Sequence, residues 1–200
     1  GIKNKNIQKI NGKPLIYFPI KASLQSKLID KTIFSSDSKI YQKLALKFGA
    51  KSPFIRSSKL SKDTTPSFDV IKDILFRLKK NQIFFDIIVL LEPTSPFTES
   101  KDIDNALKIM IDGKFISLVS ILETSKYSID FQFKKFKNNK IKALNTKNIH
   151  KRRQDVKKTY ILDGSIYISS VNDFLKNRGF LSNKTFGYEL AKWKSIEIDD

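Results

Sequence analysis

The sequence predicts an α/β fold built from βα units in one main domain, and three observations carry that prediction. Apolar runs of strand length alternate with helix-period segments through the first ~120 residues. Ile87, Ile88, Val89, Leu90 and Leu91 form a continuous apolar run, which suits a central strand covered on both faces better than a half-exposed one. That run passes straight into Glu92-Pro93-Thr94-Ser95-Pro96. Each proline fixes its own φ and biases its predecessor away from helix, so the polar groups are held stiffly. In open α/β sheets ligands bind just beyond the carboxyl ends of strands, although a plain surface βα loop reads the same way.

The elements follow in order. Pro14 precedes a helix carrying Leu15, Ile16, Phe18, Ile20, Ala22 and Leu24, and Pro19 is tolerable only if it falls in the unbonded first turn. Thr32 to Ser36 read as a strand delivering Asp37 and Ser38 to its carboxyl end. Either of these caps a helix through Lys47, closed by Gly49. After a polar loop from Arg56 to Pro66, residues 67–80 place Val70, Ile71, Ile74, Leu75 and Leu78 on one helical stripe. A helix from about Lys101 to Met110 and a strand from Phe115 to Leu122 come next. Phe131, Phe133 and Phe136 around Asn138-Asn139 predict a hairpin leaving the main sheet, within an excursion over about 123–158. Its Lys-rich 134–151 stretch is expected to be mobile. Tyr160 to Ser169 read as a strand interrupted at Asp163-Gly164, followed by a short helix from Val171 to Lys176 and a last strand from Ser195 to Asp199. Trp193 reads as a core aromatic.

With 200 residues and 40% hydrophobic content, the chain can bury one sizeable core. No apolar run approaches the ~20 residues of a membrane span and no leader pattern opens the sequence, so a soluble, cytoplasmic protein is expected. The absence of cysteine excludes disulfides, thiolate metal sites and a cysteine nucleophile, and His150 as the single histidine excludes a histidine-rich site within one chain. The net charge of +18 raises nucleic acid as a partner. Yet lysine supplies nearly all the excess, spread over every segment, which compositional drift on solvated faces also explains. No specific nucleic-acid reader pattern is present.

Several side chains are candidates for chemistry. Glu197 and Asp199 flank Ile198, and on a strand they would share a face, a pair of oxygen ligands suited to Mg²⁺. A polar edge-strand face looks the same. Arg153 offers a fork for a carboxylate or phosphate, or belongs to a solvated loop. Arg56 and Ser67 bracket a polar segment before a helix, where anions are favoured, while Ser67 also serves as a plain N-cap. Lys5 and Asn6 supply a cation and an amide near the start. Tyr167 and Phe180 are either pocket or core aromatics.

In this order and spacing the pieces resemble the acylneuraminate cytidylyltransferase family. The matching stretches are GIKNKNIQKINGKPLI at the start, TIFSSDS at 32–38, Arg56 through Asp63-Thr64 to Ser67, LLEPTSPF at 90–97, RRQD at 152–155, DGSIYI at 163–168 and SIEID at 195–199. The resemblance implies a three-layer α/β/α, Rossmann-like domain over 1–200 with a mixed, mostly parallel sheet. It implies transfer of CMP from CTP to the anomeric hydroxyl of an ulosonic acid for surface glycans, with Mg²⁺, in a homodimer. Lys5 and Asn6 would then contact phosphates and cytosine, Arg56 and Ser67 the nucleotide, and Glu92, Thr94 and Ser95 the junction of base and sugar. Glu92, Arg153, Tyr167 and Phe180 would face the sugar. Asp199 would be the principal metal ligand with Glu197 its companion, and Asp199 and Lys5 the catalytic pair.

Departures from that pattern sharpen the expectations. Family members usually carry a strand and a glycine-rich phosphate loop before the position of Gly1 and a helix after that of Asp200, so both ends read as cut and the sheet is expected to lack its first strand. Glu92 stands where Gln is common, Glu197 where Asp is usual, and Leu181 where a second aromatic is frequent. Two further readings stay open on the sequence: an inactive fragment of such an enzyme, and a basic polyanion-binding module.

Overall fold

The computed structural model describes residues 4–124, 128–146 and 152–198. Helix α1 (Tyr17–Gln25) has Pro19 in its first turn, where a missing N–H costs no intrahelical bond. Helix α2 (Lys39–Lys47) is capped by Ser38 rather than Asp37: the Tyr41 N–H donates to the Ser38 hydroxyl at 3.4 Å. Helix α3 (Ser67–Lys80) has the bounds its stripe predicts. Its N-cap is Pro66 and no side chain caps it, so Ser67 is the first helical residue. Helix α4 (Ser100–Asp112) opens on a capping box between Glu99 and Asp102, and α5 (Val171–Asn177) is capped by Ser170.

Short strands β1 (Lys9–Ile10) and β2 (Lys13–Pro14) pair beside α1. The main sheet contains β3 (Ile87–Leu90), β4 (Ser117–Glu123), β7 (Tyr160–Ser170) and β8 (Phe186–Glu189) in the order β3-β7-β4-β8. Strands β3, β4 and β8 run one way and β7 runs against them. The sheet is therefore mixed: strand directions are mostly parallel, yet β7 makes both of its ladders antiparallel. Strands β5 (Phe133–Lys135) and β6 (Ile141–Ala143) form the predicted antiparallel hairpin, regular structure inside a stretch expected to be mobile.

Three layers follow from the two-residue period of the strands. On one face Leu118, Ile166 and Ile168 pack with Ala22 of α1 and Ile103, Ala106, Leu107 and Met110 of α4. On the other, Val119 packs with Ile71 of α3, Phe174 of α5 and Phe180, with Ile88, Leu90 and Tyr167 against them. A smaller cluster joins α1 to α2 through Ile16, Ile20, Ala45 and Ala50.

Four expectations are corrected. Strand β3 is not central. It pairs with β7 alone among the described residues and all four of its side chains are only half-buried. Thr32 to Ser36 make a single parallel bridge, Ile33 with Lys51, instead of a strand: the Phe34 N–H donates to the Lys51 carbonyl, the Lys51 N–H donates to the Thr32 carbonyl, and no ladder extends the pair among the described residues. Residues 195–198 are not a strand either: Ile196 is exposed and the Ile198 N–H leaves the sheet to bond a loop carbonyl. The last strand among the described residues is β8, whose Phe-Gly-Tyr-Glu carries no strand pattern in the sequence. Trp193 is 59% exposed, lying edge-on to Phe97 rather than in the core.

Candidate functional site

Strand β3 ends at Leu90, opposite Tyr167 of β7, and feeds the loop Glu92–Pro96 beyond the edge of the sheet. Thr94 and Ser95 are buried there, and their hydroxyls make no hydrogen bond with any described residue. Buried hydroxyls ordinarily find a partner, so the loop holds two polar groups whose bonding capacity is unused. The Thr94 carbonyl is used: it accepts the Ile198 N–H at 2.9 Å. That bond brings the acidic carboxy-terminal segment against the proline-bracketed loop, the convergence on which the sequence reading depends.

Tyr167 marks where the two meet. Burial raises its pKa first, and the negative charges of Glu92, Glu197 and Asp163 raise it further, so the phenol keeps its proton beyond the usual range. Its ring lies 5.7 Å from that of Phe180, which lies 4.8 Å from Phe174. Phe180 is thus a core residue that backs Tyr167. Phe68, next to Ser67 in the first turn of α3, belongs to the same cluster, 5.4 Å from Phe174.

The remaining candidates stand on other elements. Lys5 and Asn6 form a single 3-10 turn, Lys5–Ile7, that leads towards α1, with the Ile16 N–H bonded to the Asn6 carbonyl at 3.0 Å. Arg56 is half-buried. Its Nε donates to Ser61 Oγ at 3.0 Å and its guanidinium lies 3.9 Å from Asp37, so it is braced between its own loop and the segment ahead of α2. Arg153 opens a 3-10 turn, Arg153–Asp155, but its side chain lies outside what is described. Asp199 lies outside the described residues altogether. The structure therefore joins Glu92, Thr94, Ser95, Tyr167, Phe180 and Glu197, and leaves Lys5, Asn6, Arg56 and Ser67 on neighbouring elements.

Residues that the sequence reading gave no role surround Glu197. Asp163, 5% exposed, accepts from the hydroxyl of Ser120, from the Ser165 N–H at 3.1 Å and from the Ser195 hydroxyl at 3.1 Å. Gly164 has φ +76°, and a Cβ there would overlap the Glu197 carboxylate. The signal was present as an Asp-Gly break inside an apolar strand, the mark of a bulge or a close approach. Among the described residues no group of three or more His, Cys, Asp or Glu side chains is arranged to hold a metal ion. A groove of about 430 Å³ also opens between α1 and residues 96–101, walled by Tyr17, Lys21, Phe97 and Trp193, and it shares only Pro96 with the candidate loop.

A mixed sheet between two helical layers, with a polar loop at the carboxyl end of β3, is an architecture of the nucleotidyltransferases. A solved CMP:2-keto-3-deoxy-manno-octonic acid synthetase, in complex with CTP, matches 93% of this chain and 83% of its own with a TM-score of 0.63. At 14% identity that likeness speaks for the fold alone. Residues 1–167 match the family described as cytidylyltransferase, and this chain belongs to that family. A CMP-N,N'-diacetyllegionaminic acid synthase of Legionella pneumophila is 34% identical, over 99% of this chain and 85% of that protein. An N-acylneuraminate cytidylyltransferase of Streptococcus agalactiae is 32% identical over 100% of this chain, which spans only 47% of that longer protein. No helix among the described residues is long and apolar enough to cross a membrane.

Proposed function

We propose that this chain is a CMP-sugar synthetase that joins CTP to an ulosonic acid of the sialic-acid type, acting in the cytoplasm as a homodimer. The observation that carries the reading is the bond from the Ile198 N–H to the Thr94 carbonyl, which gathers Glu92, Tyr167 and Glu197 around one spot at the edge of the sheet. Family membership and the two named relatives support the reaction class.

In this reading the anomeric oxygen of the sugar bonds to the α-phosphorus of CTP. The bond from that phosphorus to the bridging oxygen breaks, pyrophosphate leaves with the electron pair, and the hydroxyl proton is released. Such transfers need positioning and charge neutralisation more than covalent help from the protein. Lys5 and Asn6 serve the phosphates and cytosine, Arg56 and Ser67 hold the nucleotide, and Thr94 and Ser95 lie between base and sugar. Arg153 grips the sugar carboxylate, while Tyr167, backed by Phe180, lines the sugar side. Glu92 needs a donor such as the cytosine amine or a sugar hydroxyl. Against a phosphate at ~4 Å its charge would cost on the order of 1–4 kcal/mol.

The donor set suits Mg²⁺, a hard ion that takes one or two carboxylates and fills its remaining positions with water and phosphate oxygens. Glu197 is solvent-facing and Gly164 leaves room for its carboxylate against the strand, which fits that role, with Asp199 as its partner. When bound, the ion neutralises charge developing on the triphosphate. The test is pyrophosphate release from CTP across a panel of ulosonic acids, with Mg²⁺ and with EDTA. Release that requires both a sugar acid and Mg²⁺, and that Asp199→Ala reduces at least ~100-fold, is expected. Release with no sugar dependence, or unchanged in Asp199→Ala, contradicts the reading.

A further inference from the structure

Strand β7 is deformed where it passes the candidate site. Its pairing with β4 runs from Val119 opposite Tyr167 to Ile121 opposite Leu162, so β4 advances two residues while β7 advances five. The four residues Asp163 to Ile166 face Ser120 alone, so this stretch bulges out of the ladder. The Ser120 hydroxyl fills the gap: it accepts the Ile166 N–H at 2.8 Å and donates to Asp163. Burying a carboxylate is costly unless its oxygens are satisfied, and here one oxygen takes Ser120 and the Ser165 N–H while the other takes Ser195. Asp163 thus spends one oxygen holding the bulge and the other holding the carboxy-terminal segment, two residues ahead of Glu197. The next residue, Gly164, takes φ +76° and has no side chain, so the Glu197 carboxylate can lie where a Cβ would be.

From these contacts we propose that the β7 bulge is a seat that positions Glu197: Asp163 fixes the segment through Ser195, and Gly164 admits the carboxylate against the strand. Asp163, Gly164 and Ser195 are positioning residues for divalent-metal binding. The proposal rests on the reading of Glu197 as a metal ligand. Partners that orient a ligating carboxylate change metal affinity without touching the ion.

Binding of Mn²⁺ alone, followed by the loss of the free-ion paramagnetic resonance signal, tests it alongside thermal melting. Ser195→Ala removes one hydroxyl and leaves one Asp163 oxygen unsatisfied, so it is expected to stay folded with a melting temperature only a few degrees lower while weakening Mn²⁺ binding about tenfold. Gly164→Ala and Asp163→Asn are expected to weaken it at least as much, and Glu197→Gln to abolish it. Should Gly164→Ala or Asp163→Asn unfold, Ser195→Ala still decides. If Glu197→Gln loses Mn²⁺ while Ser195→Ala binds as wild type, the seat is refuted and the metal reading stands. If Glu197→Gln itself binds as wild type, the metal reading falls and takes the seat with it.

Discussion

At the scale of single residues, Tyr167 concentrates the chemistry of the site. Its hydroxyl is surrounded by Glu92, Glu197 and Asp163, and burial together with those charges holds its pKa above the ordinary 10.0. The neutral phenol is therefore the working form, a donor among acceptors, and Tyr167 ionisation should contribute no limb to the pH–rate profile below pH 10.0. Because folding favours the protonated form, its contribution to stability is intact below that pH and is lost as the pH rises through the folded value. Tyr167→Phe keeps the ring against Phe180 and deletes only the hydroxyl. It is expected to raise KM for the sugar acid roughly fivefold, about 1 kcal/mol for one neutral hydrogen bond, with KM for CTP unchanged. Equal loss for both substrates would remove Tyr167 from the sugar side. Little of this was visible in the sequence. Tyr167 could be named from its motif, but Asp163, Ser120 and Ser195 meet across 43 and 32 residues, and no local pattern encodes such contacts.

At the scale of elements, the carboxy-terminal segment is held by three ties in a row. The Lys194 amine bonds Glu99 at 2.6 Å and Asp102 at 2.7 Å, the capping-box carboxylates of α4. Ser195 bonds Asp163, and Ile198 bonds Thr94. Burial lowers the Lys194 pKa, but its bonds to Asp102 and Glu99 outweigh that and leave it above 10.5. The bond from Lys194 holds Glu99 below 4.5. The contribution from Glu99 is present above pH 4.5 and is lost as the solution is acidified through its folded value, while that from Lys194 persists up to pH 10.5 and is lost above it. Lys194→Met leaves the buried Asp102 without its cation and is expected to cost about 3 kcal/mol at pH 7, read by urea unfolding. The deficit should shrink as the solution is acidified below pH 4.5 through the folded value of Glu99, and a variant as stable as wild type would show that the tie is idle. Helices were legible because stripes and caps are local: spacing predicts the 67–80 bounds and narrows the α2 cap to Asp37 or Ser38, of which the structure selects Ser38. Strands were not, since a strand exists only with its partner. Ser195 to Asp199 alternates like a strand in sequence, yet Ile198 bonds a loop carbonyl, whereas Phe186–Glu189 carries a glycine and pairs with β4.

At the scale of the whole molecule, the sequence's three-layer plan holds, while the position of β3 at the sheet edge was not legible from its apolar run. A charge of +18 first raises nucleic acid, yet the family match over residues 1–167 favours a triphosphate substrate over a polyanion surface. The central claim is that the proline-bracketed loop and the acidic segment enclose one site for CTP and a divalent cation. The most direct test is paramagnetic broadening of the backbone amide resonances of isotopically labelled protein by Mn²⁺ in the presence of CTP. Selective broadening of Glu92, Thr94, Ser95, Gly164 and Tyr167, reversed by excess Mg²⁺, is the predicted result. Broadening confined to a distant surface, such as the Phe133–Ala143 hairpin, with those five unaffected would contradict it.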